Sequence, residues 1–170
     1  MKIEIFPLDK VVFDGISVCL GTERTIVEDA MGIGQHIGNR FYYYNNELVI
    51  DYNENNKVEF IEFLGGVESS LQPTIYGLSA FGTDAEELKE LLKQKNGGNI
   101  NDTEQGYCYS FENISVGVYR EIRPSDVLEM IEEMKADDIS TEDNEDIITD
   151  MYRASHWGTI GVGIRGYYQR

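Results

Sequence analysis

Residues 40–64 decide the fold: Arg40-Phe41-Tyr42-Tyr43-Tyr44-Asn45-Asn46-Glu47-Leu48-Val49-Ile50-Asp51-Tyr52-Asn53-Glu54-Asn55-Asn56-Lys57-Val58-Glu59-Phe60-Ile61-Glu62-Phe63-Leu64. Aromatic and branched residues alternate with polar ones, the period-2 pattern of strands that bury one face. Asn tolerates positive φ, so Asn45-Asn46 and Asn55-Asn56 read as turns joining antiparallel strands Arg40–Tyr44, Glu47–Tyr52 and Lys57–Leu64. The turns set the register: Tyr43 opposes Leu48, Phe41 opposes Ile50, Ile50 opposes Ile61, and Leu48 opposes Phe63. Directly opposed residues share a face, so Phe41, Tyr43, Leu48, Ile50, Ile61 and Phe63 point one way. Tyr42, Tyr44, Glu47, Val49, Asp51, Phe60 and Glu62 collect on the other. A slip of one residue would carry Glu59 onto the apolar face, which is costly.

The unit occurs twice. Gly15-Ile16-Ser17-Val18-Cys19-Leu20-Gly21-Thr22 leads into a helical pattern over Glu23 to Met31, and Gly77-Leu78-Ser79-Ala80-Phe81-Gly82-Thr83 leads into another over Asp84 to Lys95. Thr22 and Thr83 are expected N-caps, and Thr83-Asp84-Ala85-Glu86 has the form of a capping box. After the second helix, Gly106–Phe111, the turn Glu112-Asn113 and Ile114–Arg120 repeat the hairpin, with a third strand delayed until Trp157–Tyr168. Tyr107, Tyr109, Phe111, Ile114, Val116, Val118, Ile160, Val162 and Ile164 then face inward. Cys108, Ser110, Ser115, Gly117, Tyr119, Thr159, Gly161, Gly163 and Arg165 face outward, with Trp157 and Tyr167 in phase. The expectation is a single α+β domain over residues 1–170. Its repeat units span 13–64 and 75–168, each a helix plus a three-stranded antiparallel meander, together forming one sheet with helices on one face.

Residues 121–155 interrupt the second unit. Between Glu121 and Asp150 lie twelve acids against Arg123 and Lys135, so this stretch carries −10 of the chain's net −17. Pro124-Ser125 is expected to open a helix capped by Ser125, whose apolar stripe is Val127, Leu128, Met130, Ile131 and Met134. Fourteen Lys and Arg against 31 Asp and Glu argue against direct nucleic-acid or anionic-lipid binding, which rests on cationic contacts. The apolar runs are too short to span a membrane, and Met1 to Pro7 lacks the apolar stretch of a signal peptide. Two cysteines, Cys19 and Cys108, are too few for a disulfide framework. The chain is therefore expected to be cytoplasmic.

Chemistry-bearing motifs are sparse. His36 and His156 are the two histidines, and neither lies in a metal-binding spacing. Glycines 32, 34 and 38 follow a helix rather than join a strand to one, so they close a loop and do not cradle a dinucleotide. The acidic run Asp137 to Asp146 lacks the glycine and ligand spacing of an EF-hand. No enzyme, cofactor or metal is expected.

A duplicated helix-plus-meander unit of this length resembles the β-lactamase inhibitor protein family, and its single copy resembles the small outer-membrane lipoproteins of the barrel-assembly machinery. The resemblance covers residues 13–64 and 75–168 at the level of fold. It implies protein partners bound outside the helix layer, on the concave sheet in the inhibitor family. The sequence departs from that pattern: no leader is expected from Met1 to Pro7, no cysteine stands near Met1 for lipidation, and neither copy holds a cysteine pair. Its tail is also similar to bacterial immunity factors found beside secreted toxins.

These readings converge on a protein-binding module of the inhibitor or immunity type. The expected contact residues are Tyr42, Tyr44, Phe60, Tyr119, Trp157, Arg165 and Tyr167, with Gly117, Gly161 and Gly163 leaving room for a partner's side chains. The expected acidic surface is Asp137, Asp138, Glu142, Asp143, Glu145 and Asp146, and the expected partner is a protein, basic in character, met by a monomer or homodimer. Two alternatives stand beside this reading. One is an acidic mimic of nucleic acid that blocks a basic enzyme; the other is a small-molecule binder or enzyme using the space between the two halves.

Overall fold

The computed structural model describes residues 1–102, 104–142 and 144–169. The first half runs β1 (Ile3–Phe6), β2 (Lys10–Phe13), β3 (Ile16–Cys19), α1 (Arg24–Met31), β4 (Gln35–Ile37), β5 (Arg40–Tyr43), β6 (Leu48–Tyr52) and β7 (Val58–Phe63). A 3-10 turn at Gly66–Glu68 leads to β8 (Pro73–Ile75), β9 (Leu78–Ser79), α2 (Ala85–Asn96), β10 (Ile100–Asn101), β11 (Cys108–Phe111) and β12 (Val116–Tyr119). Then come α3 (Pro124–Ala136), α4 (Glu145–Ala154), β13 (Thr159–Gly163) and a last 3-10 turn at Tyr167–Gln169.

The fold is α+β, with two sheets where the sequence suggested one. The larger has the order β10-β11-β12-β13-β7-β6-β5-β4, antiparallel throughout, four strands from each half meeting along β7 and β13. In the first hairpins the register is the one expected: Tyr43 pairs with Leu48, Phe41 with Ile50, Ile50 with Ile61 and Leu48 with Phe63. In the second, Phe111 pairs with Val116 rather than Ile114. The connection is therefore Glu112–Ser115, closed by the Ser115 N–H on the Glu112 carbonyl at 3.3 Å. A shift of two residues leaves the paired side chains of β11 and β12 on their expected faces and moves Ile114 and Ser115 from the strand into the turn. The smaller sheet, β3-β2-β1-β8-β9, is built largely from N-terminal strands of four residues and contains one parallel pair, β1 with β8.

The smaller sheet and the first two helices cover the inner face of the larger. Ile3, Ile5, Val11, Phe13 and Val18 join Val27 of α1 and Ala85, Leu88 and Leu92 of α2 in one core with Leu48, Ile50, Ile61, Phe63, Val116, Ile160 and Val162. Phe13 reaches across to Phe63, ring centres 5.9 Å apart. The caps fall one or two residues from those expected. Glu23, not Thr22, precedes α1, and Asp84, not Thr83, caps α2 by accepting from the Glu86 and Glu87 N–H groups at 2.9 and 3.3 Å. Pro124 occupies the first turn of α3, and Arg123, not Ser125, sits at its N-cap.

The acidic insertion is a helical pair with a cluster of its own: Val127, Ile147 and Ala154, flanked by Ile122, Met130, Ile131, Met134 and Met151. Helix α4 is capped by Asn144, whose side chain accepts from the Asp146 and Ile147 N–H groups at 3.0 and 3.2 Å. Its far end is tied to the main body, the Ala85 N–H donating to the Ser155 carbonyl at 2.8 Å.

Candidate functional site

Strand pairing aligns the outer face of the larger sheet into rows. One row is Tyr42, Val49, Glu62, Gly161, Gly117 and Ser110; the next holds Arg40, Asp51, Phe60 and Gly163. No helix of the core lies here, but the chain's own tail does. Tyr167 stacks on Phe60 with ring centres 4.3 Å apart and planes 3° from parallel, and Tyr168 meets Phe60 edge-on at 6.0 Å. The glycines leave room for these two rings rather than for a partner: a Cβ on Gly163 would lie 2.6 Å from Tyr167 Cβ, and one on Gly117 would run into the Tyr168 hydroxyl. Burial raises the Tyr168 phenol well above its ordinary pKa. Beside the tail, Arg40 donates to Asp51 at 3.3 Å and to Glu62 at 2.5 Å. Burial lifts the Asp51 carboxyl above its ordinary range against the pull of Arg40.

The expected contact residues therefore divide. Tyr42 is half-buried on the outer face, Tyr119 is 38% exposed there, and Arg165 is exposed just past β13. Phe60 is on that face but buried beneath the tail, with Tyr167 half-buried above it. Two residues point the wrong way for a partner. Tyr44 sits in the turn at φ 49°, outside the pleat, and stacks toward Phe13 at 6.3 Å. Trp157 is 0% exposed, donates its indole N–H to the Ala85 carbonyl at 2.9 Å and meets Tyr109 edge-on at 5.8 Å. It precedes β13, where the alternation that would have turned it outward does not yet operate.

At one end of the sheet the two halves and the insertion enclose a groove of about 570 Å³, lined among others by Leu64, Glu68, Tyr119, Glu121, Arg153 and His156. Its floor requires glycine at 66, where φ is +56° and a Cβ would stand 3.1 Å from both Gly158 Cα and the Trp157 carbonyl. Beneath lies buried Arg120, which donates to the Gly106 carbonyl at 3.0 Å, the Ala154 carbonyl at 3.1 Å and Glu86 at 3.2 Å. Its guanidinium carbon is 4.8 Å from the centre of the Trp157 ring. On the rim, Arg153 donates to Glu68 at 2.5 and 2.9 Å and lies 3.7 Å from Asp150. His156 Nδ1 lies 2.7 Å from the Tyr152 carbonyl, which can only accept. The neutral ring is therefore the Nδ1–H tautomer, with Nε2 its acceptor. Sequence reading had singled out Tyr119 and His156 separately. Glu121 is marked in the sequence only as one of the insertion's acids, and Glu68 and Arg153 carry no signal there, because three distant segments supply these residues and no local pattern joins those segments.

On the insertion, Leu128 is 53% exposed, Ile148 63% and Tyr152 56%. Asp137, Asp138, Glu142, Glu145 and Asp146 are all exposed, while Asp143 lies outside the described residues. Glu145 and Asp146 occupy the first turn of α4, where negative charge favours the helix dipole, so part of this acidity is structural. Among the described residues no three His, Cys, Asp or Glu gather as a metal site, and no helix is long and apolar enough to cross a membrane. No family model, no curated protein and no solved structure matches the chain.

Proposed function

We propose that this chain is a non-enzymatic protein-binding module of the inhibitor or immunity type. It captures a basic protein where the Tyr119 end of the outer sheet face meets the acidic helical pair. The observation that carries the reading is the shared groove: Tyr119 of the sheet and Arg153 and His156 at the end of the insertion line one depression. Exposed Ile148 and Tyr152 on α4 lie in the segments leading to it. Exposed aromatic and aliphatic side chains supply the desolvated centre that a protein interface needs. A net charge of −17 would steer a basic partner to that surface and repel a second copy of the same chain.

The test is capture from native lysate on immobilised full-length chain, with identification of the retained protein. The intact chain and Ile26→Asp, on the remote exposed face of α1, are expected to retain one basic protein that about 0.5 M salt releases. Tyr119→Asp and Ile148→Asp are expected to lose it. Equal retention by all variants, a retained protein that is not basic, or self-association abolished by the two site variants would overturn the reading.

A further inference from the structure

We propose that the groove between the halves is a receptor for one basic side chain of the captured protein, an arginine or a lysine. This inference rests on the binding-module reading and names what that module grips. The groove's two cations are already engaged: Arg120 by two carbonyls and Glu86, Arg153 by Glu68 and Asp150. What remains is accepting capacity. Glu121 is exposed and makes no ion pair or hydrogen bond among the described residues, and it adds its charge to those of Glu68 and Asp150 around Arg153. In its neutral form His156, its Nδ1 proton held by the Tyr152 carbonyl, presents Nε2 as a further acceptor. Three carboxylates around one exposed guanidinium leave the rim negative, which favours an incoming cation and opposes a carboxylate or phosphate.

The apolar walls suit the rest of such a side chain. Leu64, Val67 and Ile122 offer surface for an aliphatic stem, and the exposed ring of Tyr119 offers a face for the charged head. A volume of about 570 Å³ takes one long side chain and some neighbouring backbone. Guanidinium is the better fit of the two heads, because its plane stacks on an aromatic ring while its edge pairs with a carboxylate.

The experiment is NMR titration of the full chain with blocked Gly-Gly-X-Gly-Gly peptides, where X is arginine, lysine, citrulline or glutamate. The arginine peptide, and less strongly the lysine peptide, is expected to shift amide signals of Tyr119, Glu121 and residues 153–159. Citrulline, of the same shape without charge, and glutamate are expected to leave them unmoved. Glu121→Gln should weaken the arginine peptide roughly five- to tenfold, and Tyr119→Leu about threefold. No clustered shifts with either basic peptide up to tens of millimolar, or equal shifts with citrulline or glutamate, would overturn the proposal. The two readings fail separately. A partner captured equally well by Glu121→Gln removes the groove and leaves the module, whereas peptide binding without any captured protein removes the module and leaves the groove.

Discussion

At Gly163 an added methyl group would meet Tyr167 at its Cβ, an atom fixed to the backbone, whereas at Gly117 it would meet the far end of the Tyr168 ring. The first clash can be relieved only by moving chain, the second by swinging a phenol outward. Gly163→Ala is therefore expected to lower unfolding free energy by about 2–3 kcal/mol and Gly117→Ala by about 1 kcal/mol, read from urea unfolding. Alkaline titration separates the mechanisms. In Gly117→Ala one more tyrosine should titrate near its ordinary value of about 10, since Tyr168 loses the burial that raises it. Equal destabilisation by the two variants would show that the tail does not pack as described. Alternation along a strand gave the facing of Gly117, Gly161 and Gly163 correctly. It could not say that the chain's own last residues fill the space, because Gly166 turns the backbone at φ +80° after β13 ends. The same rule misled at Tyr44 and Trp157 for one physical cause: period-2 facing holds only while the backbone is pleated.

Between elements, the weakest seam lies along the insertion. Helix α3 packs on a small cluster separate from the main core, while α4 is pinned through Ala154 and Ser155 to Arg120 and Ala85. Amide exchange in α3 should accordingly be faster than in β6 or β13, with α4 intermediate, and equal protection in α3 and β6 would contradict the separation. The α3 start depends on charge. Asp126 accepts from the Arg123 guanidinium at 2.6 Å and its backbone N–H at 2.7 Å, which holds the carboxyl well below the usual range. A depressed folded pKa contributes stability above the unfolded value of about 3.9, and that stability is lost as pH falls through the folded one. Asp126→Asn should thus loosen the first turn of α3 at pH 7, and its difference from the unmodified chain should shrink below about pH 4. A difference constant from pH 7 to 2 would refute the ionic origin. Helix α3 was legible from its proline and apolar stripe, but α4 was not. Its cap, Asn144, lies in a run of acids that reads as a solvated loop, and its stripe of Ile147, Met151 and Ala154 is only three positions long. Strands β1 to β3 were missed for a similar reason: at four residues each, their alternation is too short to set a register.

For the whole molecule, the meeting of two four-stranded halves along β7 and β13 places most of the acidity at one end of the sheet rather than around it. Residues 121–150 hold −10 of the −17, and α4 stands beside the groove with Glu68 and Glu121. Carboxylates so crowded repel one another over distances that salt controls, since the Debye length falls from about 20 Å in dilute buffer to about 7 Å near 0.2 M. Two opposing consequences can be measured on one sample series. Self-repulsion is screened, so the melting temperature should rise by about 3 °C between 20 and 200 mM NaCl. Attraction for a basic partner is screened as well, so capture should weaken over the same range, chiefly through a slower association rate. The ion pairs Arg40 with Asp51 and Glu62, and Arg153 with Glu68, pull the melting temperature the other way, but they are partly solvated and individually small. Replacing Glu129, Glu132 and Glu133 by Gln should remove much of the salt-dependent rise while leaving the groove carboxylates in place. A melting temperature that falls with salt, or a rise unchanged in that triple variant, would mean that the acidic helices do not strain the fold and that their charge is already balanced within it.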